Sequence, residues 1–157
     1  MNSFRFGWIF FCFLLSFWRG LPIAALLTLC ADFFLLFPEN YAFGLSFFLL
    51  AQTAYLCHLR RRSFSPLWLL SLFFLPLFPV VHLGGCYAVL FACHFFLAIK
   101  KASSKGYLLG LVLFICCDVI VAWGYFHRPA PTLIWLFYAP SQLLLALTAK
   151  NALTPTP

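Results

Sequence analysis

Chemistry has few places to reside in this chain. Three of its 157 residues are acidic. Two of them, Asp32 in Leu27-Thr28-Leu29-Cys30-Ala31-Asp32-Phe33-Phe34 and Asp118 in Leu113-Phe114-Ile115-Cys116-Cys117-Asp118-Val119-Ile120, interrupt long apolar runs. An ionisable side chain at the centre of a membrane helix costs about 2.5–3.5 kcal/mol on insertion scales, so such residues mark functional positions. Two carboxyls in a low-dielectric site cannot both ionise easily, and one is expected to keep its proton while the other serves as a base. Such a pair donates a proton to substrate and activates water without a metal or other cofactor. The competing readings are a structural hydrogen-bonded pair and a site that couples proton or cation movement in a small transporter.

Other polar side chains in the apolar runs are candidates to line the same site. Tyr138 and Gln142 are four residues apart and Gln52 and Tyr55 three apart, so each pair shares a helix face. They could orient a substrate or an aspartate, or simply tie helices together. Of the histidines, His94 falls within an apolar run and His58, His82 and His127 near the ends of others. No H-x-x-x-H or H-E-x-x-H pair occurs, and a core or interfacial role is preferred to zinc. The seven cysteines lack C-x-x-C spacing and read as small apolar residues. Neither a Gly-rich phosphate loop nor a G-x-S-x-G elbow is present.

These residues must be held by membrane helices. Hydrophobic residues form 65% of the chain and charged residues 8%, against about 25% charged in soluble domains. The net charge of +7 does not point to nucleic acid, because the basic residues sit in short loops, as topology signals and contacts to anionic membrane lipids. The expectation is an all-α, single-domain, polytopic bundle in the cell membrane. Its seven helices are placed at about 4–18, 20–37, 41–58, 66–83, 85–99, 107–126 and 131–149, given spans of about 17–25 residues. The first is read as a retained helix rather than a signal peptide, since Trp18-Arg19 follows it where small residues would be expected.

With the N-terminus outside and the C-terminus inside, Arg19, Arg60, Arg61, Arg62, Lys100, Lys101, Lys105 and Lys150 are cytoplasmic, and Arg5 and Arg128 lie outside. The second and sixth segments then enter from the cytoplasm near Gly20 and Gly106. Each aspartate lies about twelve residues in, about 18 Å deep at 1.5 Å per residue, in the outer half of the bilayer. Tyr138 and Gln142 reach about the same layer from Pro131, with Gln52 and Tyr55 near or somewhat inside it. An internal echo, Asp32 with Gln52 and Asp118 with Gln142, suggests that the second and third helices correspond to the sixth and seventh. Pro76 and Pro79 should break the fourth segment and Pro140 should free a carbonyl beside Tyr138. Gly106 and Gly110 should allow close packing of the sixth helix. The tail Thr154-Pro155-Thr156-Pro157 is expected to be disordered.

The words Cys30-Ala31-Asp32-Phe33-Phe34-Leu35-Leu36, Tyr41-Ala42-Phe43-Gly44-Leu45-Ser46-Phe47-Phe48 and Ala51-Gln52-Thr53-Ala54-Tyr55 resemble the YhhN family of membrane lysoplasmalogenases. Gly106 through Asp118 resembles that family's "G-x-x-x-F-x-x-S-D" helix, and Tyr138-Ala139-Pro140-Ser141-Gln142 its "Y-x-x-x-Q" helix. The likeness covers about residues 20–149. It implies hydrolysis of the vinyl ether bond of a lysophospholipid substrate to a fatty aldehyde and a glycerophospho-headgroup. It also implies catalytic roles for Asp32 and Asp118, and family members are commonly described with eight helices. Ala31, Cys117 and Gln52 depart from the glycine, serine and histidine usual at those positions, while both aspartates are retained.

Overall fold

The computed structural model describes residues 2–19, 22–35, 37–101, 103–127 and 131–148. Gly20, Arg128, Lys150, the Arg5 side chain and the Thr154–Pro157 tail, all invoked above, lie outside the described residues or side chains. Six α-helices follow one another: α1 Asn2–Trp18, α2 Pro22–Leu35, α3 Tyr41–Leu59, α4 Val80–Lys100, α5 Lys105–Phe126 and α6 Pro131–Thr148. Short 3-10 helices cover Pro38–Asn40, Pro66–Phe73 and Leu75–Leu77, and no strand occurs among the described residues. The helices α3 to α6 are long and apolar enough to cross a membrane, and α1, α2 and Pro66–Leu77 are shorter apolar helices. At 22 residues α5 is about 33 Å long, close to the hydrocarbon thickness.

The expected helices at 66–83 and 85–99 need correction. The break falls at the prolines, not at Gly84-Gly85. Residues 66–77 wind as 3-10 turns, and Pro79 is extended (φ −56°, ψ 138°), so that one helix starts at Val80 and runs without interruption to Lys100. Proline removes a donor and blocks the preceding turn. The two glycines stay helical because backbone polar groups in an apolar medium must be satisfied internally.

Register fixes the topology. Phe48 meets Tyr87, Gln52 meets His94 and the Leu59 carbonyl accepts from Lys101 Nζ, so α3 and α4 run parallel. The segment 60–79 therefore has to return along the length of the bundle, which preserves seven passes even though the fourth is not α-helical. Trp8 Nε1 donates to the Ala139 carbonyl (3.2 Å) and Arg19 Nη1 to the Leu147 carbonyl (2.6 Å), so α1 and α6 are parallel too. Each α-helix packs on its chain neighbour, and α1 on α6, closing a six-helix ring with the 3-10 segment against α3. The ends carrying Arg19, Arg60 to Arg62, Lys100, Lys101 and Lys105 thus share one side. That shared basic side is the one for which the positive-inside rule leads one to expect the cytoplasm. Outward faces are apolar: Phe96 is 70% and Val119 62% exposed, as lipid contact requires.

Local devices set the helix ends. Ser104 Oγ accepts from Tyr107 N (3.3 Å) at the start of α5. At the end of α3, Arg62 N reaches back to Cys57 O (2.8 Å) while Arg61 takes the left-handed conformation (φ 54°). Close packing of α5 on α6 depends on Gly106 and Gly110, as their spacing suggested. A Cβ at Gly110 would lie 3.1 Å from Leu145 Cγ and 3.2 Å from Leu144 Cβ, and one at Gly106 2.9 Å from Thr148 Cγ2. Gly110→Leu is expected to destabilise the bundle by about 1–3 kcal/mol through overpacking, read as a lowered melting temperature in detergent.

Candidate active site

The inward faces of α4 and α5 carry the same spacing of buried bulk. Tyr87, Phe91, His94 and Ala98 line α4, and Tyr107, Leu111, Phe114 and Asp118 line α5. Offsets of four, seven and eleven residues keep one helix face turned inward. Phe91 and Phe114 meet edge to face (centroids 5.5 Å apart), with Phe48 of α3 and Tyr138 of α6 also against Phe114. Phe114 lies one turn from Asp118 on α5, toward the end that carries Lys105.

Each aspartate takes a tyrosine hydroxyl from a different helix. Tyr138 OH donates to Asp32 Oδ2, and Tyr87 OH donates to Asp118 Oδ2 at 2.7 Å. Asp32 is buried and Asp118 partly so. Counting from the outer ends of their helices, Asp32 lies about 5 Å and Asp118 about 12 Å in, with Tyr87 and Tyr138 both near 10 Å.

Gln52, Tyr55 and Gln142 come together beneath the aspartates. With Thr28, His94, Phe91 and Phe114 they surround a cavity of about 10 Å³, room for about one water molecule. His94 is 1% exposed and has both ring nitrogens engaged: Nδ1 with Gln52 Oε1 (2.7 Å) and Nε2 with Tyr107 OH (2.8 Å). Tyr55 stacks on its ring at 5.2 Å. The four histidines do not gather. Among the described residues no group of three His, Cys, Asp or Glu side chains is placed to hold a metal ion.

All six residues singled out from sequence therefore lie in the interior of the ring. Tyr138 touches an aspartate; Gln52, Tyr55 and Gln142 line the neighbouring cavity. Sequence reasoning missed Tyr87 and Tyr107 altogether and preferred for His94, as for the other histidines, a core or interfacial role over zinc. The signal that finds them is position: each is a polar residue on the inward stripe of its own apolar helix.

The fold and this interior define a polytopic helical membrane protein with two carboxyls in its interior, each bonded by a tyrosine of another helix. The chain belongs to the YhhN family, whose family model matches residues 8–149 and so spans most of it. No curated protein and no solved structure matches it.

Proposed function

We propose that this protein is a lysoplasmalogenase-like hydrolase of the cell membrane, using Asp32 and Asp118 as an acid and base on the vinyl ether bond of a lysophospholipid. The YhhN family is known to include lysoplasmalogenases. The observation that carries the reading is depth. The carboxyls lie about 5–12 Å below the outer ends of their helices, the level at which the vinyl ether follows directly on the glycerol of a lipid whose headgroup rests at the surface.

In this reading a protonated aspartate gives its proton to the outer vinyl carbon, leaving an oxocarbenium ion at the carbon bound to oxygen. Water adds to that carbon while the ionised aspartate takes a proton from it. The hemiacetal then breaks its bond to the glycerol oxygen, which collects a proton and leaves as the glycerophospho-alcohol, and the remaining fragment is the fatty aldehyde. The water-sized cavity beside Gln52 and Gln142 supports delivery of a single water within an otherwise apolar ring. Tyr138 and Tyr87 hold the carboxyls in place.

The deciding test is aldehyde release by detergent-purified protein from a lysoplasmalogen, with the saturated 1-alkyl analogue beside it. Hydrolysis of the first alone is expected, because a saturated ether has no carbon to protonate. Reaction run in heavy water should place one deuterium on the carbon next to the aldehyde. Equal cleavage of both lipids, or of neither by folded protein, removes this reading.

A further inference from the structure

A second cavity lies at the basic end of the bundle, away from the aspartates. It holds about 110 Å³ between the first turn of α2 (Pro22 to Ala24) and the last turns of α3 (Ala54 and His58), with Arg62 and Phe64 completing the wall. Ala24 and Ala54 are buried and Arg62 is exposed, so the cavity reaches from the surface inward between the two helices. His58 buries its Nε2 without a hydrogen-bond partner among the described residues, a state proteins rarely leave uncompensated. The Arg62 guanidinium is unspent as well. The last four carbonyls of α3, which a nearby cation would ordinarily serve, already accept from Arg60 N, Arg61 N, Arg62 N and Lys101 Nζ. None of the chain's three acidic residues lines the cavity.

We propose that this cavity is a binding site for a phosphate group, with the Arg62 guanidinium and His58 Nε2–H as its donors. Arginine supplies paired N–H groups and a fixed positive charge. Imidazole donates from Nε2 both as the neutral Nε2–H tautomer and as the cation. The opposite wall has the same polarity. Ile23 and Ala24 belong to the first turn of α2, where N–H groups have no acceptor within the helix and the dipole is positive. Basic side chains set against such an end favour an anion between them. The depth is that of headgroup phosphates, because α2 begins and α3 ends there, and basic pockets between membrane helices on the cytoplasmic side hold lipid headgroups. Ile23 and Leu26 are exposed beside the cavity. A lipid phosphate can therefore enter with its chains against α2, and free phosphate can enter from water. The site is not that of the proposed substrate. Asp32 lies ten residues farther along α2, about 15 Å, whereas only the glycerol carbons separate the phosphate from the vinyl ether.

The test uses the full chain in an uncharged detergent. Saturating dioctanoyl phosphatidylglycerol should raise its melting temperature by about 2–8 °C, and dioctanoylglycerol, which has the chains without the phosphate, should not. Arg62→Gln should abolish the shift. Arg60→Gln, an equal loss of charge at a position that does not line the cavity, should keep it. Inorganic phosphate distinguishes the sources: a shift with it as well means that free phosphate suffices, and a shift with the lipid alone makes the ligand a headgroup. Nitrogen-15 NMR of histidine-labelled protein, with His58 assigned from His58→Phe, reads the contact without melting. The His58 Nε2 signal should move when the effective probe is added to the parent and stay in place in Arg62→Gln. No response to either phosphate probe, an equal response to dioctanoylglycerol, or a response lost alike in Arg60→Gln and Arg62→Gln overturns the proposal.

Discussion

Asp32→Asn and Asp118→Asn are each expected to lower lysoplasmalogen turnover by about 10²–10⁴-fold, the range general acid–base catalysis supplies. Asparagine keeps the size of the side chain and an oxygen that accepts from Tyr138 or Tyr87, so the bundle should survive. Unchanged melting in detergent would verify this. The two losses need not be equal. Proton transfer to carbon is the harder step, so the variant that removes its donor should show the greater loss. The parent should show a solvent isotope effect on turnover. Tyr138→Phe and Tyr87→Phe, which leave the carboxyls but loosen their aim, should lose less. Full activity in both asparagine variants would remove the aspartates from the mechanism while leaving family membership intact.

Much of this arrangement was legible because a membrane makes polar residues conspicuous. Asp32, Asp118, Gln52 and Gln142 stand out in apolar helices, and the basic loops fix which end each helix enters from. Rise per residue then brought Tyr138 to the level of Asp32, where the structure joins them. Two things were not legible. Apolar run length divides 66–99 between segments ending at 83 and starting at 85, whereas the prolines at 76 and 79, expected to break the fourth segment, set the start of α4 at Val80. Tyr87 and Tyr107 do not stand out in the sequence, and the partner that Tyr87 finds in Asp118 follows from helix packing that no local pattern gives. That register depends on the connection 60–79 running back along α3, with 3-10 turns at Pro66–Phe73 and Leu75–Leu77, which periodicity cannot foresee.

The second large effect concerns stability. His94→Leu is expected to destabilise the protein by about 2–4 kcal/mol, since it leaves Gln52 Oε1 and the Tyr107 hydroxyl without partners inside the ring, each worth about 1–3 kcal/mol when orphaned. The lower half of the summed range is the better expectation. A membrane-embedded unfolded state finds alternative partners, so interhelical polar contacts are worth less than their number suggests. His82→Ala, on the exposed first turn of α4, should stay within about 0.5 kcal/mol. A double-mutant cycle isolates the mechanism: Tyr107→Phe removes the hydroxyl that His94→Leu orphans, so its cost should shrink in the His94→Leu background by about 0.5–3 kcal/mol of coupling. Additive losses would mean that His94 acts through packing against Tyr55 and Phe91 alone. In that case the Gln52–His94–Tyr107 hydrogen bonds would not be what ties α3, α4 and α5 together.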